Sequence, residues 1–146
     1  MLDERSIMKL EKYFERASNT FLKKRTLREY TNNLCEYLEL PKLRIIIVTS
    51  KDFSHEEGID ILAYFSVNCD NRPYMVFYKK GMRRLYVKHE IIHYIQFLQD
   101  GLESFVDPEL DLEHEMEAEM LQEYSEKDLK LRIPIRNLVQ IFKQQD

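Results

Sequence analysis

Apolar residues recur at helical spacing over residues 3–23, where Ile7, Leu10, Phe14, Ala17 and Phe21 share one face. A second helix is predicted from Thr26-Leu27-Arg28-Glu29, a capping-box pattern in which a hydroxyl and a carboxylate each satisfy a free backbone N–H. Leu27, Tyr30, Leu34 and Leu38 mark its buried stripe, and Pro41 is the expected stop. Leu43–Thr49 is short and β-branched, so it reads as a buried strand. Residues 50–58 are polar and read as a loop. Ile61–Val67 and Tyr74–Tyr78 are two further strands, and Asp70-Asn71-Arg72-Pro73 between them reads as the turn of a hairpin. Over Met82–Asp100 the period returns to helical, with Leu85, Ile91, Ile92, Ile95 and Leu98 on the apolar face and Gly101 as the C-terminal cap. Asp107-Pro108, an N-cap acid before a first-turn proline, opens another helix predicted to run to about Tyr124. In the tail, Leu131–Ile135 alternates like a strand, and a short amphipathic stretch, Leu138–Phe142, follows.

Helix, helix, three strands, helix, helix, tail predicts an α+β fold: a small sheet of three or more strands packed on helices. At 146 residues the chain has the length of one domain. Within it, residues 1–40 form an N-terminal helix pair, 43–124 a core, and 125–146 a tail. A 44% hydrophobic content supplies that core and excludes global disorder. Lys+Arg 22 against Asp+Glu 26 leaves −4, which argues against nucleic acid as a partner. Cys35 and Cys69 are too few for a disulfide scaffold and read as free thiols. No apolar run reaches membrane-spanning length and no signal-peptide core follows Met1, so a cytoplasmic location is expected, with no membrane partner.

Chemistry enters at His89-Glu90-Ile91-Ile92-His93, an H-E-x-x-H motif inside a predicted helix. Residues i and i+4 lie one turn apart on one face, so two imidazoles can grip one metal ion while Glu90 reaches a water beside it. With 4 histidines and 17 glutamates in the chain, shuffling produces the motif roughly 0.012 times per chain, judged against its definition. A catalytic zinc site needs a third protein ligand. The candidates stand on the next helix: Glu113, His114, Glu115, Glu117 and Glu119. Helical periodicity places Leu110, Leu112, Met116, Met120, Leu121 and Tyr124 on a broad apolar arc that includes Glu113 and Glu117, with Glu115, Glu119 and Gln122 opposite. Since a buried carboxylate needs a partner, periodicity by itself favours Glu117 or Glu113 as the ligand.

H-E-x-x-H followed one helix later by Glu115-Met116-Glu117-Ala118-Glu119 resembles the gluzincin metallopeptidases, of which thermolysin is the familiar member. In size the chain also resembles the archaeal minigluzincins. The resemblance implies a zincin-like fold, with His89, His93 and Glu115 as zinc ligands and Glu90 as general base and acid in peptide hydrolysis. It also implies that Ala118 permits close helix approach and that Glu119 supports a ligand. An edge strand, Ile61–Val67, would pair with extended substrate, and the tail either blocks the cleft in a latent form or, over 129–142, simply closes the core. A peptide or protein is then the substrate. Two rival readings are a regulatory or binding protein on a zincin scaffold, with zinc structural or absent, and a metal-dependent hydrolase acting on something other than peptides.

Other features carry alternatives of their own. Gln96 reads either as a contact to a ligand or as an ordinary exposed side chain. Tyr86, one turn before Glu90, either donates into the site or packs. Lys79-Lys80-Gly81-Met82-Arg83-Arg84 opposes the helix dipole; it is a solvated helix start or an attractor of acidic ligands. The seven acids of residues 109–123 read as a solvated face with one member recruited to metal. His55, beside Glu56 and Glu57, reads as a surface loop or a second metal site.

Overall fold

The computed structural model describes residues 2–48 and 62–133. Its elements run α1 (Glu4–Arg16), α2 (Lys24–Tyr37), β1 (Arg44–Val48), β2 (Ala63–Val67), β3 (Pro73–Tyr78), α3 (Arg84–Asp100), α4 (Pro108–Leu121) and α5 (Glu126–Arg132). The sheet order is β1-β3-β2, with β1 parallel and β2 antiparallel to β3. This is the predicted α+β arrangement, and the hairpin forms with Asn71 in the left-handed region (φ 59°), which asparagine tolerates. Among the described residues no helix is long and apolar enough to cross a membrane.

Helix boundaries depart from the pattern where side chains compete with the backbone. α1 ends at Arg16 because Ser18 accepts from the Thr20 amide and shares a hydrogen bond with its hydroxyl. Phe21, predicted on the buried face, is 62% exposed; it pairs in a lone β-bridge with Arg83, whose guanidinium covers its ring. α2 starts at Lys24, so the Thr26–Glu29 capping box lies inside the helix and Lys23 caps without a side-chain bond. The turn at Glu39 (φ 56°) follows the last helical residue, ahead of Pro41. α4 stops at Leu121, short of Tyr124.

The largest departure is α5, where a tail was expected. Ser125 accepts from the Asp128 amide and caps it, and Leu129 is fully buried. Leu131 and Arg132, predicted in a strand, are helical. Residues 134–142 and His55, with the readings made on them, lie outside the described residues.

The core joins α2, α3 and the inner face of the sheet. Leu27, Leu34, Met75, Phe77, Ile91 and Tyr94 are buried within it. α3 is the central element, since eleven of its seventeen residues are buried. Edge strand β2 lies over α3 through Phe65, whose ring is 5.8 Å from those of Tyr94 and Phe97 and 6.1 Å from that of Phe105. The basic cluster turns out to be structural at its C-terminal end. Arg84, half-buried, forms a 2.6 Å ion pair with the buried Glu126 of α5, with Tyr30 donating to the same carboxylate. Arg84 thereby offsets its unfavourable position at the start of α3.

Candidate metal centre

α3 sets the two motif histidines one turn apart, and their Nε2 atoms are 3.2 Å from each other. α4 crosses beside them and brings in Glu115, with Oε1 2.8 Å from His89 Nε2 and Oε2 3.0 Å from His93 Nε2. Donor atoms of the three residues all lie within 4.8 Å of one another. Close approach is possible because Ala118, fully buried, presents only a methyl group at the helix contact.

The buried side of α4 is therefore not its apolar arc. Leu112, Met116 and Met120 are 62%, 64% and 58% exposed, whereas His114 and Ala118 are buried. Periodicity favoured Glu117 or Glu113, and neither reaches the histidines. Glu117 Oε1 accepts from Gln96, and Glu113 lines a separate cavity with Asp100 and His114. His114 is also away from the cluster; its Nε2 meets Asp100 Oδ2 at 3.1 Å and its ring lies against Phe105.

Two glutamines orient the histidines. Gln96 is 1% exposed, and its Nε2 donates to the His114 carbonyl (2.9 Å) and to Glu117 Oε1 (3.0 Å). With the amide nitrogen so committed, Gln96 Oε1 faces His93 Nδ1 at 2.8 Å and can only accept. His93 thus carries its proton on Nδ1 and keeps the Nε2 lone pair for the cluster. Gln122 Oε1 stands in the same relation to His89 Nδ1 at 2.7 Å. Gln96 accordingly orients the His93 ring, and is buried rather than exposed. Gln122 takes the supporting place that the resemblance gave to Glu119. The wheel had placed Gln122 on the same face as Glu115, seven residues on, and that spacing was the available signal. Glu119 instead lines a cavity of about 560 Å³ with His89, Glu90, Tyr86, Leu62 and Ala63, the first residue of β2.

Burial holds the His93 imidazole below its ordinary pKa, so it is neutral near pH 7. With its Nδ1 proton given to Gln96, His93 turns its Nε2 lone pair toward the Glu115 carboxylate and the His89 Nε2, a crowding of acceptor atoms. That set is unfavourable unless a cation or a proton sits among them. Two imidazole nitrogens bound tetrahedrally at 2.0–2.1 Å to one zinc are about 3.3 Å apart, close to the 3.2 Å found here. Two histidines and a glutamate are also the ligand types of one established class of catalytic zinc site. The donor set fits a zinc-sized dication.

Glu90 stands beside this cluster on the cavity wall. It is 4% exposed, and its Oε2 has no hydrogen-bond partner among the described residues. Burial first, and the Glu115 charge second, push its carboxyl up to about 8. A dication on the three donors would reverse the sign of that local field and favour the carboxylate.

Against known proteins, the chain matches no family model, no curated protein and no solved structure. The residues that carry the gluzincin resemblance are 89–93 and 115–119; upstream, over 43–88, it is architectural.

Proposed function

We propose that the chain is a zinc-dependent metallopeptidase of gluzincin type. The observation that carries this reading is the convergence of His89 Nε2, His93 Nε2 and the Glu115 carboxylate beside a buried, unpartnered Glu90. His89, His93 and Glu115 would hold the metal, with Gln122 and Gln96 fixing the two rings. When bound, zinc supplies a Lewis acid that acidifies water to a pKa near 7 and polarises a carbonyl. Glu90 Oε2 takes the proton of the attacking water and passes it to the departing amine nitrogen. A base so positioned contributes about 10²–10⁴-fold in rate. The low-dielectric wall around Glu90 strengthens these charge interactions, and Tyr86 and Ala63 bound the space where the peptide must lie. Among the described residues β2 is an edge strand over α3 with no strand on its outer side, where extended substrate would pair.

The test is cleavage of unfolded casein by the full-length protein. Activity should be present with one equivalent of zinc, vanish on chelation and return on zinc addition. Cleavage that persists unchanged in excess chelator would refute the reading.

A further inference from the structure

The sheet has a second face that does not join the core. Ile45, Met75 and Phe77 point into the hydrophobic cluster, while Arg44, Tyr64, Tyr74 and Tyr78 alternate with them on the opposite side. That outer face floors a concavity of about 800 Å³. Its rings are grouped: Tyr64 lies 6.4 Å from Tyr74 and 6.3 Å from Tyr78. Tyr64 is 36% exposed and Tyr74 partly so, leaving ring surface available to a ligand. Lys42, Arg44 and Arg72 stand exposed around the rings, with Arg44 opposite Tyr74 in the strand register. No acidic residue lines the concavity among the described residues, and none of the three cations has an ion-pair partner there. In a chain of net charge −4, this is a local segregation of positive charge.

Such a face suits a ligand with regularly spaced anions and flat rings. An acidic peptide would satisfy the cations and leave the tyrosines unused; an anionic bilayer would not fit a concavity. We propose that the outer sheet face binds single-stranded nucleic acid, with phosphates on Lys42, Arg44 and Arg72 and bases stacked on Tyr64 and Tyr74. The acidic remainder of the chain excludes a broad basic footprint, so the site is short and salt-sensitive. It shares no residue with the metal centre and does not depend on that reading.

The experiment is fluorescence anisotropy of a labelled twenty-nucleotide oligothymidylate against the full-length protein at 50–200 mM salt. Three phosphate contacts to a single strand predict a log–log salt slope of about −2. Arg44→Gln combined with Arg72→Gln should bring the slope to about −0.7 and weaken binding at 50 mM salt at least tenfold. Tyr74→Leu should weaken binding about tenfold and leave the slope unchanged. Circular dichroism of each variant verifies the fold, and the wild-type slope stands as evidence even if Tyr74→Leu unfolds. The proposal is overturned if wild-type binding at 50 mM salt is weaker than about 100 μM, the upper end of ordinary non-specific affinity. It is equally overturned if the double arginine variant binds like wild type, or if polyglutamate of matched charge competes as well as the oligonucleotide.

Discussion

Gln96→Leu is the most informative single change outside the ligands. Leucine keeps the approximate volume but removes three hydrogen bonds, to His93 Nδ1, the His114 carbonyl and Glu117 Oε1. Glu117 is exposed and regains water, so its loss costs little. His93 Nδ1 and the His114 carbonyl are buried and do not, at about 1–3 kcal/mol each. The sum, about 2–6 kcal/mol, should lower the melting temperature of the metal-free protein by at least about 4 °C at 2–4 °C per kcal/mol. The orientation of His93 is lost as well, and removing such a support typically weakens metal binding about 10–100-fold. Gln122 is only half-buried, so in Gln122→Leu water can replace the amide at His89. That variant should lose metal affinity with little change in melting. Calorimetry of the metal-free proteins and zinc competition against a chromophoric chelator measure the two effects separately. A Gln96→Leu protein with wild-type zinc affinity would refute the claim that this amide sets the His93 tautomer.

Further outcomes follow from the same structure. Glu115→Gln should lose zinc and peptidase activity together, whereas Glu117→Gln, which only removes a contact to Gln96, should retain both; zinc content and casein cleavage decide between them. Glu126→Gln leaves the half-buried Arg84 without its charge partner and should cost about 1–3 kcal/mol in urea unfolding. Hydrogen bonds from Arg84 and Tyr30 outweigh burial and lower the Glu126 pKa. The stabilisation is therefore complete above the unfolded carboxyl value and is lost as pH falls through it toward the lower folded value; Glu126→Gln should flatten that acid limb of the melting curve. Gly81→Ala would set a Cβ 1.8 Å from the Leu62 carbonyl oxygen, which also accepts from the Tyr78 amide. The backbone must shift, so thermal stability should drop by more than about 1–3 kcal/mol and the β2 wall of the cleft should move, lowering activity. Met116→Lys, on the exposed arc of α4, should change stability by no more than about 0.5 kcal/mol.

The order of elements from α1 to α4 and the hairpin were legible because composition and turn chemistry agree there: short apolar and aromatic runs over β2 and β3, and Asn71 at the turn. The H-E-x-x-H geometry was legible because helix pitch alone fixes it. Helix ends were not, since Ser18 and Thr20 divert the chain by side-chain bonds that no periodicity registers. α5 is signalled only by Ser125-Glu126-Lys127-Asp128, a capping pattern, and the alternation of Leu131–Ile135 just after it reads as a strand. The third cluster residue is the instructive case. The apolar arc of α4 pointed to Glu117, but Leu112, Met116 and Met120 face outward, and the helix packs through the small Ala118 and through His114. The gluzincin resemblance pointed to Glu115; hydrophobicity did not, because α4 packs by closeness of approach at Ala118. Gln96 and Gln122 could be placed near the site from their positions, but their roles depend on where the amide nitrogens find acceptors, and that is set by tertiary contacts.

The central claim is that Glu90 moves the proton in a zinc-dependent peptide hydrolysis. Its most direct measurement is casein cleavage by the wild-type protein and Glu90→Gln side by side, each first shown to bind one equivalent of zinc and to melt cooperatively. The account predicts equal zinc content in both, with turnover in the variant reduced about 10²–10⁴-fold. Cleavage by Glu90→Gln at the wild-type rate, with zinc in place, would contradict it.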